Sequence, residues 1–231
     1  MNKRRRTIIQ LTDAWRRAYP DASVGVLAVE NVSNPAEHPK LDARKTQLTA
    51  QLRTRYAGCD RASLRAIPVL QAYHQYYKRF KKTYHLQLQL ESIALQGKDI
   101  PSGAGLVEAM FMAELDSLLL TSGHDLAQVE LPIKIAAAEG TETYTRINRQ
   151  EQTLKAGDMY IADQGGILSS IIYGPDYRTR IVDATTSALF TVYAPPGIAA
   201  AEVEQHLEDT VELMRIFSPQ AQVTSQGVYP A

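Results

Sequence analysis

The sequence has little of what secreted, membrane and zinc-binding proteins use. Its 231 residues contain one cysteine, Cys59, which excludes an intrachain disulfide framework and a cysteine-rich zinc site. No apolar run approaches the ~18 residues that a membrane-spanning helix needs. Residues 1–6 are basic, but no apolar stretch follows them, so we expect no signal peptide. The default expectation is a soluble cytoplasmic protein with one large domain or two small ones.

Motifs of common enzyme classes are also missing. There is no Gly-x-Ser-x-Gly nucleophile elbow, no glycine-rich phosphate loop and no dinucleotide-binding fingerprint. The five histidines lack the i, i+4 spacing of a zinc helix. Cys59 precedes Asp60 at a predicted helix start, but no histidine–asparagine arrangement identifies it as a nucleophile. The sequence therefore predicts neither a metal nor a cofactor.

Charge is unevenly distributed along the chain, although the net charge is zero. Residues 1–90 hold 17 Lys and Arg against 6 Asp and Glu, whereas residues 91–231 hold 8 against 19. The stretch between Asp60 and Glu91 has basic residues and no acidic one. Two interpretations remain open: the first part binds an anionic partner, or the two parts face and neutralise each other.

Secondary-structure patterns change in type near Gly123. Helices are predicted over residues 7–19, 40–56, 60–66, 68–82, 86–96 and 105–120, with one short buried strand at 23–29. Strands are predicted over residues 132–138, 142–147, 158–162, 167–173 and 187–193, followed by an amphipathic helix over 199–217. This order predicts a single α+β domain over residues 1–217, with a mainly antiparallel sheet covered by helices and a loose tail over 218–231.

An aromatic and basic segment stands out at the end of the 68–82 helix. Its aromatic residues recur at helical spacing and share one face. They are Tyr73, Tyr76, Tyr77, Phe80 and Tyr84. One interpretation is a buried aromatic stripe; the other is a basic surface, with tyrosine hydroxyls at its edge, that binds phosphates and unstacked bases. On the second interpretation, Tyr77, Lys78, Arg79, Lys81 and Lys82 form an RNA-contact surface.

Two further places carry charged groups that need an explanation. Glu108 lies in an apolar helical stretch, where a carboxylate is either a surface residue or a costly buried group. Asp176 and Arg178 lie in a loop between two predicted strands. They are either a turn with its local ion pair or polar groups presented at the end of the sheet, where function is often located.

In their order, these features resemble the B3/B4 domain of the phenylalanyl-tRNA synthetase beta chain, in its free-standing bacterial form. The resemblance covers a core of about residues 70–195. The segments that carry it are Tyr77-x-x-Phe80, Leu90-Glu91-Ser92, Ile100-Pro101, Leu106-Val107-Glu108, Gly123-His124-Asp125-Leu126, 131–136, 157–163, Gly174-Pro175-Asp176-x-Arg178-Thr179 and 185–189. No single segment is specific; their order and spacing make the match.

The resemblance implies an α+β fold and a pocket that hydrolyses tyrosine wrongly attached to phenylalanine tRNA. It implies tRNA or aminoacyl-tRNA as the partner, with neither DNA nor a membrane. The family's editing pocket uses a His and a Glu at the positions that correspond here to Ser122 and Thr191, and the family's Val-Asp pair corresponds to Val107-Glu108. His124, two residues beyond Ser122, is a possible substitute for the missing His. The fold therefore carries over more directly than the editing chemistry.

Together these observations predict one cavity at the end of the sheet, lined by Glu108, His124, Asp163, Asp176 and Arg178. His124 and Glu108 are the candidate catalytic residues. The candidate substrate-binding residues are Asp163, Asp176, Arg178, Thr191 and Ser122. The alternative is that these are unrelated turn and surface residues. Two functions follow: a tRNA-binding protein that hydrolyses mischarged aminoacyl-tRNA in trans, or a binder of small amino-acid-like molecules that works without RNA.

Overall fold

The computed structural model describes residues 9–231 as one α+β domain with seven α-helices and eleven strands. The helices are α1 Asp13–Ala18, α2 Pro39–Arg55, α3 Arg61–Arg65, α4 Pro68–Arg79, α5 His85–Leu90, α6 Gly105–Ser117 and α7 Ala200–Arg215. The strands are β1 Ile9–Leu11, β2 Ser23–Glu30, β3 Leu120–Asp125, β4 Ile133–Ala137, β5 Thr143–Thr145, β6 Glu151–Thr153, β7 Met159–Asp163, β8 Gly166–Ser170, β9 Gly174–Pro175, β10 Ser187–Ala194 and β11 Gln222–Pro230. Within residues 9–231, no helix combines the length and the apolar character that crossing a bilayer requires.

A four-stranded antiparallel sheet has the order β11-β2-β10-β3. Its two central strands read as nearly continuous apolar runs because both of their faces are buried. α7 packs closely on one face, at Gly25 of β2. A Cβ atom at Gly25 would lie 2.6 Å from a methyl carbon of Val203, so only glycine allows this approach.

A five-stranded sheet of order β1-β4-β7-β8-β9 lies against the other face. Its β1–β4 pair is parallel and its other pairs are antiparallel. Tyr193 of β10 connects the two sheets, because its buried hydroxyl donates to the Ser169 carbonyl oxygen of β8 at 3.0 Å. The hairpin β5–β6 extends beside the loop that follows β9.

The predicted fold class, α+β with mainly antiparallel strands covered by helices, is confirmed. Several boundaries fell where predicted. Asp60 caps α3 by accepting a hydrogen bond from the Ser63 backbone N–H at 2.8 Å. Pro68 occupies the first turn of α4, and Gly97 has φ +73°, which ends the α5 region as a left-handed residue. The single predicted sheet is, however, divided into two larger sheets and the separate two-stranded hairpin β5–β6.

Three local predictions were wrong. The tail over 218–231 is not loose, since β11 pairs with β2 along most of its length. The 7–19 helix is divided, in its described part, into β1 and α1. The 105–120 helix ends at Ser117, because Leu118 adopts a left-handed conformation with φ +65° that the apolar pattern does not reveal. The strand that follows, β3, carries the candidate site.

The two parts of the chain neutralise each other in part, as one of the two explanations of the charge asymmetry predicted. Basic side chains of α2 and α3 form ion pairs with the acidic part of the chain. These pairs are Lys45–Glu108, Arg53–Asp99, Arg55–Asp116 and Arg61–Glu91. In contrast, Lys78, Arg79, Lys81 and Lys82 are exposed and make no ion pair among residues 9–231.

Candidate functional site

The candidate site begins with Ser122 and His124 on β3. Residues i and i+2 of a strand point to the same face, so both side chains enter the space between the two sheets. Their side chains touch: Ser122 Oγ lies 2.9 Å from His124 Nε2. His124 Nδ1 lies 2.7 Å from the Thr179 hydroxyl, which is hydrogen-bonded to the Asp176 carboxylate. All four residues are buried.

The hydrogen-bonding capacities of these groups fix the tautomer of His124. An ionised Asp176 can only accept, so the Thr179 hydroxyl donates its proton to Asp176. Thr179 Oγ1 must then accept from His124 Nδ1–H, and this leaves Nε2 free to accept from the Ser122 hydroxyl. Donation therefore runs in one direction, from Ser122 through His124 and Thr179 to Asp176. We call these four residues the Ser–His–Thr–Asp chain.

Burial influences the protonation of His124 and Asp176 in the Ser–His–Thr–Asp chain. The absence of water around His124, with a further effect of the Arg178 charge, lowers the pKa of His124 to about 3. The imidazole is therefore neutral at physiological pH. Burial also raises the pKa of Asp176, an effect that the hydrogen bonds from Thr179 and the charge of Arg178 oppose. A neutral imidazole of fixed tautomer is suited to accepting a hydrogen bond and is a weak base.

Asp163 and Arg178 hold the loop over residues 176–180 against the end of β7. One Asp163 oxygen accepts from the Arg178 guanidinium at 2.7 Å and from the Gly165 N–H at 2.8 Å, and the other accepts from the Glu130 N–H at 2.9 Å. A second Arg178 nitrogen donates to the Gln128 carbonyl oxygen. The hydrogen-bonding capacity of Arg178, which the sequence suggested for binding a substrate, is thus used largely inside the protein.

Thr191 of β10 lies directly opposite Ser122 in the strand register. These are the two positions at which the resemblance placed a missing His and a missing Glu. The Thr191 hydroxyl is fully buried and has no hydrogen-bond partner among residues 9–231. A buried hydroxyl without a partner costs roughly 1–3 kcal/mol, so its presence beside Ser122 needs a reason.

Glu108 makes no hydrogen bond or ion pair with this group within residues 9–231. Its carboxylate accepts from Lys45 at 2.7 Å and from the Gly103 N–H at 2.8 Å. The apolar helix misled the sequence interpretation: Glu108 is buried, as its neighbours suggested, but it is paired with a lysine of α2. His124, Asp163, Asp176 and Arg178 do come together.

The tyrosines of α4 are structural, which corrects the interpretation of Tyr77 as an RNA contact. The Tyr77 ring is buried, and its hydroxyl donates to the Ile171 carbonyl oxygen at 2.8 Å. Tyr76 likewise donates to Asp158 at 2.7 Å, and Tyr84 donates to the Leu118 carbonyl oxygen at 3.1 Å. Every one of these hydroxyls points inward, so none lies at the edge of the basic surface.

Sequence reasoning missed three residues of the site. Thr179 bridges His124 and Asp176, and its carbonyl oxygen accepts from the Asp125 N–H at 2.7 Å. Thr185 donates to Asp125 at 2.8 Å, which fastens the far end of the same loop. A signal was available, because Asp125, Thr179 and Thr185 all lie in segments that carried the resemblance. Among residues 9–231, no cluster of three or more His, Cys, Asp or Glu side chains is arranged to hold a metal ion.

Comparisons with known proteins give a similarity among solved structures. No protein-family model matches the chain, and no curated protein does. Among solved structures, the chain is similar to an N-terminal fragment of the phenylalanyl-tRNA synthetase beta-subunit from Pyrococcus horikoshii. The match covers 96% of this chain and 54% of the other, at 11% identity and a TM-score of 0.49. The chain thus spans about half the length of the structure it matches. The matched protein is of the kind that the sequence resemblance named.

Proposed function

We propose that the protein hydrolyses amino acids from aminoacyl-tRNA, acting in trans on tRNA charged elsewhere. The observation that carries the proposal is the Ser–His–Thr–Asp chain, in which a serine hydroxyl is bonded to a histidine whose tautomer a third group fixes. The unpartnered Thr191 hydroxyl opposite Ser122 supports it, because a bound substrate would supply the missing partner.

Hydrolysis of an aminoacyl ester needs only modest catalysis by the protein. An aminoacyl ester is reactive, so positioning a water and a hydrogen-bond donor can suffice. In the proposed step, a water that donates a hydrogen bond to Ser122 Oγ attacks the ester carbonyl carbon, while neutral His124 accepts from the Ser122 hydroxyl and holds it in place. When the tetrahedral intermediate collapses, the C–O bond to the ribose breaks and a proton of the attacking water passes to the ribose oxygen. Free amino acid and uncharged tRNA result.

An exposed basic surface supports tRNA as the carrier of the ester. Lys78, Arg79, Lys81 and Lys82 are exposed and free of ion pairs within residues 9–231, and two of them lie at a groove of about 430 Å³. Arg79 and Lys81 line this groove together with Lys155 from the acidic part of the chain. An accumulation of unpaired cations is what phosphate binding uses.

Ser122 and His124 are buried, so a substrate reaches them only if the site opens. Ser122 is 5% exposed and His124 is fully buried. Entry of an ester therefore requires the 176–180 segment to separate from β3. Arg178 is the exposed member of the ion pairs that hold this segment, and this makes it the natural point of release. The proposal thus couples tRNA binding to an opening of the loop.

Paired serine variants test the proposal. Ser122→Ala removes the hydroxyl that is hydrogen-bonded to His124. The control, Ser117→Ala, removes a serine hydroxyl that lies 2.8 Å from His206 Nδ1, in a pair that packs on the opposite face of β3. With tRNA charged with a panel of amino acids, we expect Ser122→Ala to lose the accelerated release of amino acid and Ser117→Ala to retain it. Equal rates in the wild type and both variants would refute the proposal.

A second candidate is a binder of small amino-acid-like molecules that uses the same site without RNA. The burial of Ser122 and His124 favours it, since a small ligand needs a smaller opening. Titration with bulk tRNA at two salt concentrations separates the candidates. A tRNA binder loses affinity steeply as salt rises, while a small-molecule binder ignores tRNA and responds to free amino acids.

A further inference from the structure

Two arginines of the acidic part of the chain converge on one tyrosine. The carbon at the centre of the Arg180 guanidinium lies 3.7 Å from the centroid of the Tyr177 ring, and that of Arg149 lies 4.8 Å from it. Arg149 comes from the β5–β6 hairpin and Arg180 from the loop after β9, so the fold assembles a pair that the sequence separates. Tyr177 itself lies between Asp176 and Arg178, within the loop of the candidate site.

These guanidinium groups are held in place but remain largely unused as donors. Arg180 donates one hydrogen bond to the Tyr177 carbonyl oxygen at 2.7 Å, and Arg149 donates one to the Tyr177 hydroxyl at 2.8 Å. A guanidinium carries five N–H donors, and neither arginine forms an ion pair among residues 9–231. Their charge is therefore uncompensated and pre-oriented.

A second tyrosine connects this pair to the basic surface at the end of α4. Arg146, at the start of the same hairpin turn, donates to the Tyr173 carbonyl oxygen at 3.1 Å. On its other side, the Lys82 ammonium lies 5.9 Å from the centroid of the Tyr173 ring. Each of the two tyrosines is thus contacted by two cations, Tyr173 by Lys82 and Arg146, and Tyr177 by Arg149 and Arg180. We call these six residues the arginine–tyrosine band.

We propose that the arginine–tyrosine band binds the single-stranded 3′ end of an RNA and leads it to the loop over His124. The inference rests on the proposed function, whose RNA-contact surface it extends to residues outside the 77–82 segment. Its chemistry fits this partner: guanidiniums bind phosphates in a bidentate manner and provide planes on which unpaired bases stack, and half-buried tyrosines add ring surface. A duplex with paired bases would make no use of these planes.

Fluorescence anisotropy with a labelled single-stranded RNA ending in CCA tests the band. The double variant Arg149→Glu/Arg180→Glu reverses the two uncompensated charges. Its matched control, Lys40→Glu/Arg215→Glu, makes the same charge change at exposed positions of α2 and α7, which form no ion pair within residues 9–231. Arg180→Lys keeps the charge and removes the planar guanidinium, and it guards against a variant that does not fold.

We expect the band variant to bind at least about tenfold more weakly than the control at about 50 mM salt, with Arg180→Lys in between. The slope of log affinity against log salt should fall by about 1.4, since each phosphate contact to a single strand contributes about 0.7. Wild-type protein that does not bind this RNA, or a band variant that binds as the control does, would overturn the inference. RNA binding that follows the prediction without any amino acid release would leave the band standing and refute the proposed hydrolysis.

Discussion

His124 Nδ1 and the Asp176 carboxylate lie 3.8 Å apart, and the hydroxyl of Thr179 bridges them. A direct histidine–carboxylate contact would stabilise the imidazolium. The inserted hydroxyl instead holds a neutral ring in one tautomer, in agreement with the lowered pKa of His124. The site is therefore built for orientation rather than for strong base chemistry.

Replacement of Thr179 tests this bridge. Thr179→Val keeps the shape but leaves His124 Nδ1–H without its partner, and it reduces the hydrogen bonds to the Asp176 carboxylate to those from the Thr179 backbone N–H. We expect the free energy of unfolding to fall by about 2 kcal/mol, because each unsatisfied buried group costs roughly 1–3 kcal/mol before relaxation. Thr179→Ser, which retains the hydroxyl, should lose less than about 1 kcal/mol. Urea denaturation of both variants checks this, and equal losses would contradict the bridging role.

Replacement of Thr191 shows whether its hydroxyl serves function or stability. Thr191→Val removes a buried hydroxyl that has no partner within residues 9–231, so we expect stability to rise by about 1 kcal/mol. We also expect amino acid release from aminoacyl-tRNA to slow. Thermal denaturation and the release assay on the same preparation check both effects. A loss of stability would mean that the hydroxyl has a structural partner after all.

Tyr77 provides a test of the corrected interpretation of α4. Tyr77→Phe removes the inward hydrogen bond to Ile171 and should lower stability by about 1 kcal/mol. RNA affinity should not change, because the hydroxyl does not reach the surface. Anisotropy with the CCA-ending RNA checks this. A large loss of affinity in a folded Tyr77→Phe protein would restore the original interpretation.

The opposite face of β3 carries a second set of buried titratable groups. Glu114 accepts a hydrogen bond from the Thr121 N–H at 2.7 Å, and burial raises the pKa of Glu114 to about 8. His206 lies between Ser117 and Thr121, and burial lowers its pKa to about 4. Elsewhere, next to β7, burial raises the pKa of Asp158 to about 7. These groups impose opposite pH dependences on stability.

The signs follow from proton uptake. The folded state holds the Glu114 proton up to about pH 8, whereas an unfolded glutamate loses it near pH 4.5, so stability falls as pH rises through this interval. His124 and His206 are protonated more readily when unfolded, so they reduce stability only as pH falls below about 6.5. Above about pH 7, Glu114 is the main contributor of these groups.

We therefore expect the free energy of unfolding to decline between pH 7 and 8, by up to about 1.4 kcal/mol per pH unit for one group. Glu114→Gln should flatten this decline, because the amide does not titrate. Urea denaturation at several pH values compares the two proteins. An unchanged slope in Glu114→Gln would show that Glu114 does not have its raised pKa.

Local signals in the sequence predicted much of the fold. Pro68 and Asp60 specify helix starts by backbone chemistry, and β2 and β10 are short apolar runs of strand-forming residues. β3 was missed because its residues after Leu120 are polar and show no strand pattern, and because the leucines at 118–120 extend the apolar run of α6 past the left-handed Leu118. β11 was missed because its side chains are largely exposed, so hydrogen bonds to β2 rather than an apolar pattern define it.

The site was partly predictable for a related reason. Asp176 and Arg178 lie in a recognisable loop, and His124 was conspicuous as a histidine in a segment of the resemblance. The pairing of Glu108 was not predicted, because its partner Lys45 is 63 residues away in sequence. Thr179 was not singled out, since a threonine carries no charge and its role depends on two neighbours brought together by the fold.

The most direct test of the central claim is the rate of amino acid release from aminoacyl-tRNA in single turnover, with the protein in excess and a panel of amino acids. The account predicts release faster than in buffer for at least one amino acid. It also predicts an enzyme contribution that does not depend on His124 ionisation between pH 6 and 8, because the pKa of this residue is about 3. Release no faster than in buffer for every amino acid would contradict the account.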